Sequence, residues 1–273
     1  MSAPLLDVHE VRKSFARGSL LARRRVHAVD GVSFALAADR PEIFAIIGES
    51  GSGKTTLARM ILNMVVPSAG AIRLDGTDLS TIRGRGQRLA FMRRVQPIFQ
   101  NPFEAFNPLK RVDRYLFATA RCFAGATGAA QREAACDHAL GNVGLSLREI
   151  GGRFPHELSG GQLQRIAIAR AIISRPALLV ADEPVSMIDA SLRMAVVDLF
   201  RTLRDTLGVS IICITHDLAT AYNLSDRILI MRQGREVEAG DARTVLDNPR
   251  DPYSILLKES VLQIPPPMQG LRI

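Results

Sequence analysis

A glycine-rich stretch in the first quarter of the chain has the residue types that bind phosphate. It matches the pattern G-x-x-x-x-G-K-[ST] with Gly48, Glu49, Ser50, Gly51, Ser52, Gly53, Lys54 and Thr55, and Thr56 follows. Glycines let the backbone wrap around an anion, and exposed amides then face the phosphates at the positive end of a helix. Lys54 can neutralise the β- and γ-phosphates, and Thr55 offers a hydroxyl to Mg²⁺. The stretch therefore predicts a phosphate-binding P-loop.

Two adjacent carboxylates provide the next candidate chemistry. Asp182 and Glu183 end the apolar run 177–181. Two charges would be costly inside a sheet, so we place them at its exposed carboxyl edge, where open α/β sheets bind ligands. Because adjacent strand residues point in different directions, we assign Asp182 to the metal and Glu183 to the general base.

A second glycine motif precedes a strongly periodic helix that runs to about residue 173. Its residues are Leu158, Ser159, Gly160, Gly161 and Gln162. Ser159 can cap the helix, and the two glycines leave its first amides bare. The motif therefore predicts a second anion site in a chain whose P-loop already provides one.

The elements around these residues alternate between strand and helix. Strand 43–47 enters the P-loop and helix 57–62 leaves it, while 177–184, 190–207 and 209–214 repeat strand, helix, strand. This alternation predicts an α/β fold with a mainly parallel sheet. Further predicted elements are strands 5–12 and 26–36 around a basic loop 16–25, strand 71–74, an edge strand 95–100, an alanine-rich helical region 111–150, a hairpin 227–237 and a short helix near 252–260.

Composition limits the class of protein. The chain has 273 residues, 47% of them hydrophobic, and a net charge of +8. Its three cysteines have no C-x-x-C spacing, and no apolar run reaches the length of a membrane-spanning helix. The first 13 residues do not have the pattern of a signal peptide. We therefore expect a cytosolic chain that is soluble by itself. We interpret the arginine clusters at 23–25, 83–88 and 93–94 as solvated loops and expect no nucleic-acid partner.

In this order and spacing, the motifs closely resemble those of the ATPase subunits of ABC transporters, over residues 5–260. The P-loop resembles the family's Walker A loop, 178–183 its Walker B strand, and 158–162 its signature. The resemblance implies a Q-loop glutamine at Gln100, a D-loop over Ser186–Asp189, a switch histidine at His216 and an adenine-stacking aromatic at Phe15.

The resemblance also implies ATP and Mg²⁺ as cofactors and assigns roles to residues. The catalytic residues would be Lys54, Gln100, Glu183 and His216. The metal ligands would be Thr55, Gln100 and Asp182. The nucleotide would contact Phe15, the P-loop residues from Gly48 to Thr56, Gln100, Ser159, Gly160, Gly161, Gln162, Asp189 and His216.

The implied fold is a P-loop NTPase, RecA-like core with an antiparallel β region and an inserted helical subdomain. We assign 1–105 and 164–245 to the core, 106–163 to the helical subdomain and 246–273 to a short carboxyl-terminal extension.

A finer resemblance is to the dipeptide and oligopeptide importer branch. It rests on 28–34, 99–102, 106–108, 154–158 and the carboxyl-terminal residues Asn248, Pro249, Asp251, Pro252 and Tyr253. Departures are Met187 and Ile188 in the D-loop, Leu163 after the signature, and the short extension. Relatives of this branch also carry oligosaccharides or nickel, so those substrates stay open.

The resemblance implies partners and a location. We expect two membrane-spanning permease subunits, a second ATPase subunit, identical or paralogous, and an indirect link to an extracytoplasmic solute-binding protein, with this chain at the cytoplasmic face of the membrane. The alternatives are a soluble ABC ATPase acting on DNA or ribosomes and a P-loop kinase. The span from Lys54 to Leu158 is too short for a long coiled coil, and a kinase does not explain the signature.

Overall fold

The computed structural model describes residues 3–17, 24–186 and 190–262 of the chain. A six-stranded sheet lies at its centre, with the strand order β10-β9-β3-β8-β7-β6. Its strands are β3 (Ile43–Ile47), β6 (Val95–Ile98), β7 (Leu178–Asp182), β8 (Ser210–Thr215), β9 (Arg227–Arg232) and β10 (Arg235–Asp241). Five of these strands run parallel and β10 pairs antiparallel with β9, so the predicted, mainly parallel α/β sheet is confirmed.

A second sheet of four antiparallel strands packs beside the first. It consists of β1 (Leu6–Arg17), β2 (Arg24–Leu36), β4 (Ala69–Leu74) and β5 (Thr77–Asp78), in the order β2-β1-β4-β5. Leu6 and Val8 of this sheet share one buried apolar cluster with Phe44 and Ile46 of β3. The antiparallel β region is therefore joined to the central sheet through a common core.

Ten α-helices surround the sheets in the described part of the chain. They are α1 (Lys54–Ile61), α2 (Gly84–Arg94), α3 (Val112–Phe123), α4 (Ala129–Gly141), α5 (Leu147–Ile150), α6 (Gly160–Ile172), α7 (Ala190–Leu207), α8 (Leu218–Leu224), α9 (Ala242–Asp247) and α10 (Pro252–Leu262). The predicted helical region 111–150 corresponds to α3, α4 and α5.

The helical region is continuous with the core. Val112 of α3 and Leu140 of α4 belong to the same buried cluster as Ile168 of α6 and Leu179 of β7. The boundary that we placed between residues 163 and 164 falls inside α6. The division into core and helical subdomain remains a prediction, and α6 belongs to both.

The strand β6 forms one edge of the central sheet, as the proline within it predicts. The carbonyl of Arg94, just before β6, accepts a hydrogen bond from the backbone N–H of Ala177 (2.9 Å), just before β7. The backbone N–H and C=O groups of every second residue from Arg94 therefore point to β7. Pro97 therefore faces away from β7. The position that lacks an N–H lies on the open side, where the ladder does not need a donor.

Two sequence interpretations require correction. The arginines at positions 83–94 are not in a solvated loop, because residues 84–94 form α2, whose one buried side chain is Phe91. Of the basic loop expected at 16–25, residues 16–17 belong to β1 and 24–25 to β2, and residues 18–23 lie outside the described part of the chain. Among the described residues, no helix is both long enough and apolar enough to cross a membrane.

Candidate nucleotide-binding and hydrolytic site

The P-loop connects the fully buried strand β3 to α1, and its backbone requires glycine at two positions. Gly48 and Gly53 have φ values of 150° and 106°. A Cβ on Gly48 would lie 2.1 Å from the carbonyl oxygen of Met231, and one on Gly53 would lie 2.1 Å from that of Ala28. Both distances are far below contact, so β9 and β2 fix the shape of the loop from two sides.

The amino terminus of α1 is available to an anion. Gly53 is the N-cap in a left-handed conformation, no side chain of the described chain caps this helix, and its first turn contains no acidic residue. The first backbone amides of a helix have no partner within it and carry a partial positive charge. Further back, the loop is held by the N–H of Gly234, which donates to the carbonyl of Ser52 (2.9 Å).

The side chain of Lys54 is buried against the preceding residues of the P-loop. Its Nζ donates to the carbonyl oxygens of Gly48 and Glu49, each at 2.7 Å. Burial lowers the pKa of this ammonium, and the carboxylates of Glu183 and Asp182 oppose that shift. The lysine is therefore a desolvated cation whose hydrogen bonds go mainly to backbone carbonyls, which a phosphate oxygen can replace with a stronger, charged acceptor.

Asp182 lies at the carboxyl end of β7, near the side chain of Thr55. Burial raises the pKa of Asp182, as does the neighbouring Glu183 carboxylate, while the interaction with the Thr55 side chain lowers it. A partly desolvated carboxylate beside a hydroxyl has the oxygen donors that Mg²⁺ prefers. Among the described residues, no group of three His, Cys, Asp or Glu side chains could hold a metal by itself. Proteins usually bind Mg²⁺ through one or two carboxylates together with phosphate oxygens, so these residues fit such an ion.

Glu183 leaves the sheet instead of continuing it. The strand β7 ends at Asp182, and Glu183 has a φ of 46°, in the left-handed region. The reason that we gave for the separation of the two carboxylates, the alternation of side chains along a strand, is therefore wrong. This left-handed backbone at a non-glycine residue has a cost of the order of 1–3 kcal/mol.

Several hydrogen bonds hold this turn. The N–H of Glu183 donates to the carbonyl of Ile214 (2.9 Å), and the hydroxyl of Ser186 donates to the carbonyl of Glu183 (3.0 Å). The fully buried Gln164 of α6 donates from Nε2 to the carbonyl of Pro184 (3.1 Å). The strained residue is thus fixed from β8, from the following turn and from α6.

Two distant side chains meet at the Glu183 carboxylate. Gln100, just after β6, donates from Nε2 to Oε2 (2.7 Å), and Nδ1 of His216, just after β8, lies 2.9 Å from Oε1. The structure therefore brings Gln100, Glu183 and His216 together at the carboxyl edge of neighbouring strands. Gln100 was also predicted as a metal ligand, and here its amide contacts Glu183 rather than Asp182.

Phe15 lies on β1, in the antiparallel sheet. Its ring is 44% exposed, and its partner on β2 is Val26, two residues before the Ala28 carbonyl that packs against Gly53. The ammonium of Lys13 lies 5.2 Å from the ring centroid. An exposed aromatic ring is thus carried by the sheet that packs against the P-loop.

The signature residues form the predicted helix cap. The hydroxyl of Ser159 accepts from the N–H of Gln162 (3.2 Å), and Oε1 of Gln162 accepts from the N–H of Ser159 (3.0 Å). Gly160 and Gly161 open α6. Of the hydrogen bonds among described residues, none joins 159–162 to the P-loop. Asp189, with positions 187 and 188 of the D-loop, lies outside the described residues.

Comparison with known proteins identifies the family. The family model described as ABC transporter matches residues 29–186, which is more than half of the chain. This chain belongs to the ABC transporter family. It is 36% identical to the dipeptide transport ATP-binding protein DppF of Escherichia coli (strain K12), covering 100% of this chain and 81% of that protein. It is 36% identical to the oligopeptide transport ATP-binding protein AppF of Bacillus subtilis (strain 168), covering 94% of this chain and 78% of that protein.

Solved structures agree on the fold. The ATP-binding cassette MJ0796, in a dimeric post-hydrolysis state bound to ADP and Pi, has a TM-score of 0.76 and 24% identity, covering 87% of this chain and 99% of that chain. The fold of this ABC ATPase is therefore the predicted P-loop NTPase cassette. Membership of the family makes the chain an ATP-binding and ATP-hydrolysing transporter subunit.

Three contacts of this ABC ATPase site were not predicted. They are three hydrogen bonds: from the N–H of Gly234 to the carbonyl of Ser52, from the side chain of Gln164 to the carbonyl of Pro184, and from the N–H of Glu49 to the hydroxyl of Tyr253 (2.9 Å). Gln164 carried a signal in the sequence, because it is a polar residue among the apolar residues of α6. Gly234 was predicted only as part of the hairpin 227–237, and Tyr253 was named only for the resemblance to the peptide importer branch.

Proposed function

We propose that this chain is the ATP-hydrolysing subunit of an ABC importer for dipeptides or oligopeptides. The observation that carries the hydrolytic part is the position of Glu183, whose carboxylate lies between Gln100 and His216. Beside it are the P-loop lysine and the Thr55–Asp182 pair. The names of DppF and AppF support the peptide substrate.

We assign phosphate binding to the P-loop, over residues 48–56. The amides at the start of α1 and the Lys54 ammonium would take the β- and γ-phosphates. Thr55 and Asp182 would hold Mg²⁺, with Gln100 as a further oxygen donor after its amide turns from Glu183. A bound Mg²⁺ supplies positive charge that neutralises the phosphate oxygens.

Glu183 would act as the general base. Its carboxylate would accept a proton from the attacking water. His216 would contact the γ-phosphate oxygens and orient Glu183. Gln100 would link contact with the permease to the position of the Glu183 carboxylate.

Phe15 would stack on the adenine base. Its exposed ring on the sheet that touches Gly53 supports this role. Stacking on an aromatic ring contributes about 1–3 kcal/mol per base and tolerates different bases.

The signature would complete the site of another subunit. Ser159, Gly160, Gly161 and Gln162 form a helix amino terminus that makes no hydrogen bond to this chain's P-loop among the described residues. Such a terminus can bind the far side of a γ-phosphate. We therefore propose a head-to-tail dimer in which the signature and Asp189 contact the nucleotide of the partner.

The proposed partners are two permease subunits, a second ATPase that is identical or paralogous, and, indirectly, an extracytoplasmic solute-binding protein. This places the chain at the cytoplasmic face of the membrane, bound to its permeases. We propose no nucleic-acid partner. The net charge of +8 is the feature that favours the alternative, a soluble ABC ATPase acting on DNA or ribosomes.

Reconstitution tests the proposal. The chain should co-purify with multi-span permeases, and vesicles that contain the complex and its solute-binding protein should take up labelled dipeptide only with ATP. Parallel uptake assays with an oligosaccharide and with Ni²⁺ distinguish the substrates. ATP hydrolysis stimulated by DNA or ribosomes, with no permease association, would contradict the transporter assignment.

A further inference from the structure

We infer that Tyr253, on the carboxyl-terminal helix α10, is a positioning residue for the P-loop and that α10 thereby sets the affinity for ATP. Its hydroxyl accepts a hydrogen bond from the backbone N–H of Glu49, at 2.9 Å. Glu49 is the second residue of the P-loop, about two hundred positions earlier in the chain. The inference deepens the nucleotide site proposed above and rests on it.

The tyrosine ring is fixed on several sides. It is 4% exposed and packs in a cluster with Ala45 and Ile47 of β3, the strand that enters the P-loop. The guanidinium of Arg232, at the end of β9, lies 4.8 Å from the ring centroid. A hydroxyl on a ring held in this way has little freedom to move away from the Glu49 amide.

The chain before α10 is fastened to β10. The Glu238 carboxylate accepts from the N–H groups of Arg250 (3.0 Å) and Asp251 (3.2 Å), and Oδ1 of Asp251 accepts from the N–H of Tyr253 (2.8 Å). These bonds set where α10 begins. The hydroxyl of Tyr253 therefore reaches the P-loop from an anchored helix rather than from a loose tail.

Glu49 is held on both of its backbone groups. Its N–H is bonded to Tyr253, and its carbonyl accepts from Nζ of Lys54 at 2.7 Å and from the N–H of Ser52 at 3.2 Å. When Lys54 turns to a phosphate, the Glu49 carbonyl keeps only the donor from within the loop, while its N–H keeps its acceptor on α10. The Tyr253 hydroxyl is thus a contact from outside the P-loop that holds its start while the lysine changes partner.

The alternative is that Tyr253 only packs α10 against the sheet. Tyr253→Phe separates the two roles, because it keeps the buried ring and removes the one acceptor. Tyr222→Phe is the matched control, because the Tyr222 hydroxyl lies 3.5 Å from the Asp247 carboxylate on the neighbouring helix and contacts no P-loop residue.

The experiment uses the full chain with Mg·ATP. For Tyr253→Phe we expect the Kd and KM for ATP to rise roughly three- to tenfold, the effect of losing one hydrogen bond. We expect kcat to stay within about twofold of the wild type and amide exchange at Glu49, followed by hydrogen–deuterium exchange without nucleotide, to become faster. Tyr222→Phe should change none of these.

An unchanged ATP affinity in Tyr253→Phe would overturn the inference, and it is the result expected if Tyr253 only packs α10 against the sheet, because the variant keeps the ring. Failure of the proposed function looks different, because the wild type itself would then neither bind nor hydrolyse ATP. The exchange rate at Glu49 tests the hydrogen bond in either case.

Discussion

The side-chain amide of Gln100 donates from Nε2 to Oε2 of Glu183, with 2.7 Å between the two atoms. The other carboxylate oxygen, Oε1, lies 2.9 Å from Nδ1 of His216. Both oxygens of the proposed base are therefore occupied by side chains from other strands. Each carboxylate oxygen has two lone pairs, so these contacts orient the carboxylate and still leave a lone pair for the proton that a base accepts.

Replacement of Glu183 tests the base. Glu183→Gln should bind Mg·ATP with near wild-type affinity and lose about 10²–10⁴-fold in turnover, the usual effect of removing a positioned base. Steady-state hydrolysis and equilibrium nucleotide binding measure the two effects. Glu133→Gln, an exposed glutamate on α4, is the control. Near wild-type hydrolysis by Glu183→Gln would show that another group is the base.

Replacement of Lys54 should affect a different quantity. Lys54→Ala removes the cation assigned to the phosphates, so ATP affinity itself should fall, because a phosphate charge loses its partner. Isothermal titration with ATP measures this. Equal affinity in Lys54→Ala and the wild type would place the phosphates elsewhere.

Replacement of Phe15 tests where the adenine ring of the nucleotide binds. Phe15→Ala should weaken ATP and GTP alike by about tenfold or more, because stacking contributes about 1–3 kcal/mol and tolerates any base. Phe15→Tyr keeps an aromatic ring and should restore most of the affinity. If Phe15→Ala binds ATP as the wild type does, the ring has no stacking role.

Two inactive variants test the shared site. Ser159→Arg keeps its P-loop and loses its signature, and Lys54→Ala does the reverse. In a head-to-tail heterodimer one of the two composite sites is intact, so mixing the variants should restore part of the ATPase activity. No recovery at any mixing ratio would favour sites built from a single chain. With a paralogous partner, the two substitutions are placed in different subunits.

An ion pair with a buried carboxylate predicts a pH-dependent change in stability. Glu42 is 10% exposed at its side chain and accepts from Nη1 of Arg227 at 3.0 Å. Burial raises the pKa of Glu42, and Arg227 opposes that shift. In Arg227→Met the pKa should rise further, so the folded state binds a proton more readily than the unfolded state, and stability falls as pH rises between the two pKa values.

The free energy of unfolding of Arg227→Met should therefore be lower than that of the wild type by about 1–3 kcal/mol at pH 8, with a smaller difference at pH 5. Urea titrations at the two pH values measure it. Arg235→Met breaks an exposed pair with Asp30 and should cost little at either pH. A deficit that does not change with pH would mean that Glu42 stays ionised without its partner.

The sequence predicted the long and strongly patterned elements well. Helix 190–207 and the hairpin at Gln233 and Gly234 have clear periodicity or turn residues, and the structure has both. It did not predict α2, because that helix buries only Phe91 and begins with two glycines in its first three residues. An exposed helix without an apolar face has no periodicity to detect.

The chemistry of the site was accessible where residue types alone define it. The P-loop and the capping box of Ser159 and Gln162 are local patterns with a physical reason at each position. The left-handed turn at Glu183 was not accessible, since glutamate has no preference for positive φ and the turn depends on hydrogen bonds from β8 and α6. The contact of Tyr253 with Glu49 depends on tertiary packing, which no local pattern encodes.

The edge strand β6 limits how these molecules can aggregate. Its two residues that face away from β7 are Val95 and Pro97. The Val95 N–H is bonded to the carbonyl of Phe91, at the end of α2, and Pro97 has no N–H. A strand from a misfolded or crowded neighbour would therefore find no free donor along this edge, and the central sheet is protected there against growth into a fibril.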